Sequence, residues 1–412
     1  MTDQLSLEDL RQARNLIAGK IVHTPMSPVE CLDEPAGVEL RLKHENLQTA
    51  GSFKMRGASH KLALLAEGGK GSTGGVVAAS AGNHAQAVAR AARRYGVPVT
   101  VVMPTTAPMT KVAACRALGA TIEQIGTTLE EATDRAHELA AEQGLTFISP
   151  YDDWDIIAGQ ASCGLEMLED FEDMTTAVVP LGGGGLLAGV ALGLKLQRPD
   201  IRIVGVQAEE VAPWKPFLET GGFDELKPGA RTIADGISVK APGRLTRQVI
   251  GQYVDEIVTV DDNAIARAIV RLLELTRTIG EGAGVSALAA LLEGRVSLSA
   301  NERVACVISG GNIDMSLVGR SIDFGLSASG RLLSIVVTLP DRPGNLAGLI
   351  NEVAGLGMNV RDVRHRRGEL NVPVGLTAIT LELETRDRQH QRQLIEKLRQ
   401  RGHEVTVLAP DA

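Results

Sequence analysis

The sequence predicts an α/β protein with doubly wound parallel sheets, followed by a small C-terminal domain of ferredoxin-like order. Two observations lead to this fold class. Between about residues 38 and 310, short runs rich in Val, Ile and Ala alternate with longer helical patterns, and such continuous apolar runs are typical of parallel strands covered on both faces. After residue 330 the order becomes β-α-β-β-α-β, as in ferredoxin-like domains.

Each predicted strand of the long region leads into a turn and then a helix. The predicted strands are Gly75–Ser80, Val97–Met103, Ala120–Ile125, Thr176–Leu181, Ile201–Gln207 and Arg303–Ile308. The predicted helices are Asn83–Tyr95, Pro108–Leu118 and Leu129–Gln143, besides an amphipathic helix within residues 1–20. Because ligands of such sheets bind beyond the carboxyl ends of the strands, we expect the loops after these strands to form the functional site.

The Gly- and Ser-rich segment Gly325–Gly330 marks the change of pattern. We therefore predict a catalytic region over residues 1–322, a linker over 323–331 and a second domain over 332–412. The predicted strands of that domain are Leu332–Leu339, Asn359–Arg364, Pro373–Glu384 and Glu404–Leu408, and its predicted helices are Asn345–Leu356 and Gln389–Arg401.

Composition argues against several classes of function. The formal net charge of -8 and the aromatic content of 3% disfavour a nucleic-acid partner, because such proteins use basic surfaces and stacked aromatic rings. The basic run Arg361–Arg367 is as expected of a solvated strand edge. No C-x-x-C pair occurs among Cys31, Cys115, Cys163 and Cys306, so we expect free thiols in a reducing, cytoplasmic compartment. No apolar run approaches the roughly 18 residues of a membrane span, and the N-terminus lacks the apolar core of a signal peptide.

Four loops contain residues suited to binding or catalysis. The first contains Ser52-Phe53-Lys54. Ser52 is a candidate N-cap, which places Lys54 in the first turn of a helix. A lysine there is normally a solvated charge, although the positive end of the helix dipole disfavours it. A lysine that must be neutral to act as nucleophile or base gains from that dipole and from burial. On this loop alone both interpretations stay open.

Two other loops follow predicted strands. The loop Ser80-Ala81-Gly82-Asn83-His84 precedes a helix, where its amides and hydroxyl could hold a carboxylate. An ordinary helix cap explains this loop equally well. The loop Ser309-Gly310-Gly311-Asn312 follows a buried strand, which would bring Ser309 to the rim of the same cleft, and a tight turn is equally consistent with it.

Four glycines, Gly182–Gly185, and Leu186 stand between a strand and a helix. Glycines let backbone N–H groups close on a phosphate without a Cβ in the way, and the helix dipole attracts the anion. A competing interpretation is a dinucleotide site, because Gly183-x-Gly185-x-x-Ala188 matches its fingerprint and Glu209 follows the next strand. A NAD-dependent oxidoreductase would leave the lysine and asparagine loops unexplained.

Together and in this order, the four loops resemble those of the fold-type II pyridoxal-phosphate enzymes, which have the tryptophan synthase beta-like fold. Within these they are most similar to the threonine ammonia-lyases, over residues from about 10 to 322. The C-terminal unit resembles an ACT domain, with Asp341-Arg342-Pro343-Gly344-Asn345-Leu346 at its first turn.

The resemblance implies a role for each loop. Lys54 would hold pyridoxal 5'-phosphate as a Schiff base and later take the Cα proton of the substrate. The amides of the tetraglycine loop would bind the phosphate, Asn83 the ring hydroxyl and Ser309 the pyridine nitrogen. The implied cofactor-binding residues are Phe53, Lys54, Asn83, Gly182, Gly183, Gly184, Gly185, Leu186 and Ser309, and the implied substrate-binding residues are Ser80, Ala81, Gly82 and His84.

The implied activity is deamination of L-threonine to 2-oxobutanoate and ammonia, with serine giving pyruvate as a side reaction. Ala81 stands where related racemases carry a serine, which favours elimination. A serine or 3-hydroxyaspartate ammonia-lyase or racemase is the alternative within the family, and a non-catalytic amino-acid sensor is an alternative outside it. An effector such as isoleucine or valine, as in isoleucine biosynthesis, is expected at Asp341, Gly344, Asn345 and Leu346, between paired copies of a homodimer or homotetramer.

Two positions depart from the family pattern. Glu281 is followed by Gly282-Ala283-Gly284, where a Pro or Ser is more usual. Where related racemases bind a divalent cation, this chain has Gln207, Val211 and Pro213, which are poor ligands for a hard cation. We therefore expect no metal.

Overall fold

The first of two units in the chain is an α/β unit, Met1–Asp314, and the second is Met315–Ala412. The computed structural model describes residues 5–30, 37–68, 74–367 and 372–408. No helix within these ranges is long and apolar enough to span a membrane. Cys31 lies outside the described residues, whereas Cys115, Cys163 and Cys306 are buried and form no disulfide among the described residues.

The first unit alternates strands with helices along most of its length. Its strands are β1 (Met26–Val29), β2 (Glu39–His44), β3 (Val76–Ala79), β4 (Val99–Met103), β5 (Thr121–Gln124), β6 (Thr146–Phe147), β7 (Thr176–Pro180), β8 (Arg202–Ala208), β9 (Glu256–Val260) and β10 (Arg303–Ile308). Its helices are α1 (Leu7–Ile17), α2 (Lys54–Glu67), α3 (Asn83–Tyr95), α4 (Met109–Ala117), α5 (Leu129–Gln143), α6 (Trp154–Asp170), α7 (Gly185–Lys195), α8 (Phe217–Thr220), α9 (Arg244–Tyr253), α10 (Asp262–Thr276) and α11 (Gly282–Leu292).

The strands form two sheets. The larger has the order β1-β2-β10-β7-β8-β9 and the smaller has the order β5-β4-β3-β6. All neighbours are parallel except β1 and β2, which are antiparallel. Along β7, Val178 packs into one apolar cluster while Ala177 and Val179 pack into another. The larger sheet is thus covered on both faces, which explains the continuous apolar runs.

Helix α5 shows how local sequence sets the ends of an element. The side chain of Thr128 accepts a hydrogen bond from the N–H of Glu131, and the Glu131 carboxylate accepts one from the N–H of Thr128 at 2.9 Å. At the other end Gly144 has φ +65°, in the left-handed region. This capping box and glycine C-cap define a helix over the residues predicted from the sequence.

Helix α2 begins at Lys54 as predicted, but the prediction that Ser52 is its N-cap is wrong. The N-cap residue is Phe53, with φ -52° and ψ -24°, and no side chain caps this end. Instead Ser52 forms an antiparallel bridge with Gly310, in the loop after β10. Because this bridge holds Ser52, its buried Oγ does not reach the helix and has no hydrogen-bond partner among the described residues.

The second unit is a four-stranded antiparallel sheet with helices. It contains α12 (Met315–Ala328), β11 (Leu332–Pro340), α13 (Asn345–Gly355), β12 (Asn359–Arg366), β13 (Leu376–Glu384), α14 (Arg388–Gln400) and β14 (Glu404–Leu408). The sheet order β12-β13-β11-β14, with the predicted β-α-β-β-α-β succession, is ferredoxin-like. The linker predicted over residues 323–331 needs correction, because residues 323–328 continue α12. The Gly/Ser-rich run therefore does not mark the end of this helix, and Gly325 within it is buried.

Candidate active site

The four loops singled out in the sequence line one cavity of about 330 Å³ in the first unit. Three of them leave the carboxyl ends of β3, β7 and β10, where parallel sheets bind ligands. The structure brings together Phe53, Lys54, Ser80, Ala81, Gly82, Asn83, His84, Gly182, Gly183, Gly184, Gly185, Leu186 and Ser309.

Lys54 offers an amine to this cavity. Its Nζ donates a hydrogen bond to the carbonyl oxygen of Pro150 at 2.7 Å and lies 5.0 Å from the centre of the Phe53 ring. Burial lowers the pKa of Lys54 to about 8, although the negative charge of Glu281 works in the opposite direction. A larger share of this amine is therefore neutral near pH 7 than for a solvated lysine, as a nucleophile or base requires.

Asn83 belongs to a hydrogen-bond network that fixes the orientation of its amide. Its Nδ2 donates to Glu281 at 2.5 Å, and its Oδ1 accepts from Nδ2 of Asn312 at 2.8 Å. Asn312 is held in turn by the carbonyl oxygen of Ala50 at 2.8 Å. Burial, together with the charge of Asp235, raises the pKa of Glu281 to about 7.

The Ser80–His84 loop leads into α3. The Ser80 Oγ accepts a hydrogen bond from the N–H of Gly82 at 3.1 Å, and no side chain caps α3. A helix N-terminus without a side-chain cap suits an anion. The Nε2 of His84 donates to the carbonyl oxygen of Ile148 at 2.9 Å. Burial, with the nearby charge of Lys54, lowers the pKa of His84 to about 3, so its ring stays neutral.

The tetraglycine loop has no room for side chains. A Cβ on Gly183 would lie 2.4 Å from the Tyr151 ring, and one on Gly185 would lie 2.9 Å from the Cβ of Tyr151. Gly184 has φ +95°, which favours glycine. The hydroxyl of Thr246 donates to the carbonyl oxygen of Gly183 at 2.9 Å. Tyr151 and Thr246 therefore hold the loop in place. The loop leads into α7, and no Cβ obstructs its N–H groups.

Ser309 closes the cavity next to the lysine loop. The N–H of Phe53 donates to the Ser309 carbonyl at 3.0 Å, and the N–H of Ser309 donates to the carbonyl of Gly284 at 3.1 Å. A Cβ on Gly284 would lie 2.1 Å from the oxygen of Gly310, so only glycine fits there. This close contact gives a physical reason for Gly284, one of the positions flagged as departing from the family pattern.

Several residues in or next to the cavity were not predicted as site residues. Tyr151, Lys111, Asp235 and Glu281 line the cavity, and Asp152 accepts hydrogen bonds from the first N–H groups of α9, at 2.7 Å from Leu245. The sequence did contain a local signal for Glu281 as a site residue, because it is a single carboxylate directly before an apolar helix. The others had none, because their partners lie far away in the sequence.

The residues predicted for regulation lie in the second unit, at the turn between β11 and α13. Gly344 is the N-cap of α13, with φ +92°, and no atom of the described residues lies within 4 Å of an added Cβ. Asn345 donates its side-chain amide to the carbonyl of Pro340 at 2.8 Å, and Asp341 lies 3.0 Å from Arg367. Leu346 packs against the core of this unit.

The predicted non-ligands Gln207, Val211 and Pro213 follow β8 or lie at its end. Gln207 is buried and its Oε1 accepts from the N–H of Trp214 at 3.0 Å. Within the described ranges, no group of three His, Cys, Asp or Glu side chains is arranged to hold a metal ion.

The residues fit the pyridoxal phosphate expected from the sequence. A clamped glycine loop at the start of α7 suits a phosphate, and a buried amine at Lys54 suits a carbonyl carbon. The oriented amide of Asn83 and the hydroxyl of Ser309, both lining the cavity, suit the polar groups of a pyridine ring.

Comparison with known proteins agrees with this fit. The family model described as "Pyridoxal-phosphate dependent enzyme" matches residues 17–310. The chain is 42% identical over 404 residues to a protein named L-threonine ammonia-lyase from Thermotoga maritima, covering 98% of this chain and 100% of that one.

Solved structures of a threonine deaminase and a serine racemase also superpose on this chain. The threonine deaminase of T.th. superposes with a TM-score of 0.70 at 38% identity, covering 75% of this chain and 99% of that chain. Maize serine racemase superposes with a TM-score of 0.72 at 33% identity, covering 77% of this chain and 96% of that chain.

Proposed function

Because the chain belongs to the pyridoxal-phosphate dependent enzyme family, we propose that it deaminates L-threonine to 2-oxobutanoate and ammonia. Serine would give pyruvate as a side reaction. The observation that carries the proposal is the Lys54 amine, buried and facing the same cavity as the tetraglycine loop and Asn83. The relative from Thermotoga maritima, similar along nearly its whole length, supports threonine as the substrate.

We assign the cofactor to this cavity. The backbone amides of Gly182–Gly185 and Leu186 would hold its phosphate, and Lys54 would bind its carbonyl carbon. Asn83 would hydrogen-bond the ring hydroxyl, and Phe53 would pack against the ring. Ser309 would hydrogen-bond the ring nitrogen through its neutral hydroxyl. A neutral hydroxyl cannot keep that nitrogen protonated as a carboxylate could.

When bound, pyridoxal phosphate withdraws electrons from the substrate Cα and makes the Cα proton acidic. Lys54 is the base that takes this proton, because its lowered pKa of about 8 leaves part of the amine neutral near pH 7. The Pro150 carbonyl, 2.7 Å from Nζ, positions the amine without adding a charge. The Ser80–His84 loop would bind the substrate carboxylate through the amides at the start of α3, since the His84 ring is neutral.

One water is eliminated across Cα and Cβ, a second water is added at Cα, and ammonia is released, so the net change is the loss of ammonia. The β-hydroxyl leaves with a proton, and water then hydrolyses the released enamine to the 2-oxo acid and ammonia. Ala81 has no proton to return to Cα from the opposite face, so elimination is favoured over racemisation.

The proposal is tested by measuring 2-oxo acid, ammonia and D-amino acid production from threonine, serine and 3-hydroxyaspartate. We expect 2-oxobutanoate from threonine, less pyruvate from serine, and little D-serine. Lys54→Ala should abolish turnover, whereas Lys61→Ala, which removes an ion pair with Asp153 outside the cavity, should keep it. Tight NAD binding without turnover would favour an oxidoreductase, and amino-acid binding alone would favour a sensor.

We further propose that the second unit is an ACT domain that binds an amino-acid effector where two copies of the chain pair. Gly344 allows close approach to the first amides of α13, which suit a carboxylate. An inhibitor such as isoleucine, opposed by valine, would fit a role in isoleucine biosynthesis. Coupling of this kind commonly amounts to about 1–3 kcal/mol.

Gly344→Asp should blunt the response by placing a carboxylate against that of the effector. Gly355→Asp is the control, because it adds the same charge at the other end of α13, also with nothing within 4 Å. Threonine kinetics with each of the twenty amino acids, together with the oligomeric state by light scattering, measure the effect. A wild type that responds to none of them contradicts the sensing role. We also propose a cytoplasmic location, which suits the buried thiols.

A further inference from the structure

An ion pair at the outer side of the active-site cavity has no role in the chemistry above. The Nζ of Lys111 lies 3.5 Å from a carboxylate oxygen of Asp235. Lys111 is in the first turn of α4, and Asp235 is in the segment between α8 and α9. Both line the same cavity as Lys54. The Lys111 side chain is 21% exposed and that of Asp235 is 69% exposed, so the carboxylate is on the solvent side.

The pair is close to the reacting centre. Glu281 is influenced electrostatically by Asp235, Lys111 and Lys54 together. A Cβ on Gly236, the neighbour of Asp235, would lie 3.6 Å from the Glu281 carboxylate. Two amines and two carboxyl groups thus line the same cavity.

Among the described residues, Lys54 and Lys111 are the two lysines that line this cavity. Lys54 is committed to the chemistry, so Lys111 is the cation that could bind a second carboxylate on the substrate. Asp235 already occupies Lys111 and would repel such a carboxylate. L-threo-3-hydroxyaspartate carries a carboxylate where threonine carries a methyl group, so charge rather than the position of the hydroxyl separates the two substrates.

We propose that Asp235 is a specificity-determining residue that, by pairing with Lys111, excludes hydroxy amino acids with an acidic side chain and selects those with a neutral one. This inference rests on the proposed lyase function and names its substrate class.

The test compares kcat/KM for L-threo-3-hydroxyaspartate with kcat/KM for L-threonine in four proteins. These are the wild type, Asp235→Asn, Lys111→Met and the double variant. Asp235→Asn should raise the ratio in favour of the acidic substrate by about tenfold, because it frees Lys111 and removes a repulsive charge. Lys111→Met should lower the ratio, and in the double variant the gain should largely disappear.

Glu293→Gln is the matched control. It removes a carboxylate paired with Arg267 at 2.7 Å that does not line the cavity, so the ratio should stay at the wild-type value. If Asp235→Asn also impairs threonine turnover, the inference is judged by Lys111→Met, which must still lower the ratio.

The outcomes separate the two proposals. A wild type that does not deaminate threonine refutes the lyase function itself. A wild type that does so, with the same ratio in Asp235→Asn and Lys111→Met as in Glu293→Gln, refutes the specificity role alone.

Discussion

Replacing Gly184 by alanine tests whether the tetraglycine loop is a cofactor cradle or an ordinary turn. Gly184 has φ +95°, and an added Cβ would lie 2.8 Å from the Cβ of Thr246 and 2.8 Å from the Cδ1 of Ile250. Gly96, the C-cap of α3, has φ +66°, and an added Cβ would have no atom within 4 Å in the part of the chain that the structure describes. Gly96→Ala therefore introduces backbone strain alone, whereas Gly184→Ala introduces strain and overpacking.

The free-energy costs of backbone strain and of overpacking can be estimated separately. A left-handed conformation costs an L-residue roughly 1–2 kcal/mol, and an extra methyl in a packed site costs roughly 1–3 kcal/mol. We expect Gly96→Ala to lower the free energy of unfolding by about 1–2 kcal/mol and Gly184→Ala by about 2–5 kcal/mol. Because Thr246 holds the carbonyl of Gly183, displacing Thr246 should also move the amides that would bind the phosphate.

Urea unfolding of the cofactor-free proteins measures the first effect, and titration with pyridoxal phosphate followed by absorbance measures the second. Gly184→Ala should weaken cofactor binding at least tenfold, which is about 1.4 kcal/mol, while Gly96→Ala leaves it unchanged. Wild-type cofactor affinity in Gly184→Ala would refute the cradle interpretation. Equal losses of affinity in both variants would show a general effect of destabilisation.

Two further predictions concern α2. The pKa of Lys54 is about 8 in the folded protein against an ordinary 10.5, so the unfolded chain binds more protons between these values. The free energy of unfolding of the cofactor-free enzyme should therefore rise with pH from about 8 to 10.5, and urea unfolding of Lys54→Met should lack this rise. Arg56→Met should cost roughly 3–5 kcal/mol because it leaves the buried carboxylate of Glu45 without its cation, whereas Arg267→Met, at a partly exposed pair, should cost under about 1 kcal/mol. Equal unfolding midpoints for these two arginine variants would contradict the prediction.

Elements with local end signals could be predicted from the sequence to within a few residues. Helices α3 and α5 and strand β10 have the predicted bounds, because glycines and capping residues mark the ends of the helices, and Glu302 precedes the strand while Ser309-Gly310 follows it. Helix α6 could not be predicted in this way. Its residues from Ile156 to Met167 are all buried, so the segment shows no alternation of apolar and polar faces.

Site residues could be predicted where their chemistry requires a recognisable residue type at a recognisable place in the sequence. The glycines Gly182–Gly185 and the polar residues that follow strands show such a signal. Thr246 and Asp152 do not, because a threonine that binds a carbonyl 63 residues away looks like any other threonine in the sequence. Ser52 failed as a cap for the same reason, since its pairing with Gly310 depends on tertiary structure.

The first turn of α2 holds two cations with opposite requirements. Arg56 is fully buried and donates to the carboxylates of Glu45 and Glu166 at 2.6–2.7 Å, so its charge is permanent and anchors the helix. Two residues earlier, Lys54 donates to a neutral carbonyl, at the helix end where the dipole disfavours a cation. A carboxylate bonded directly to Lys54 would hold its proton, and without Arg56 the helix start would lose its anchor. The separation of the two charges therefore keeps the amine both fixed in position and able to lose its proton.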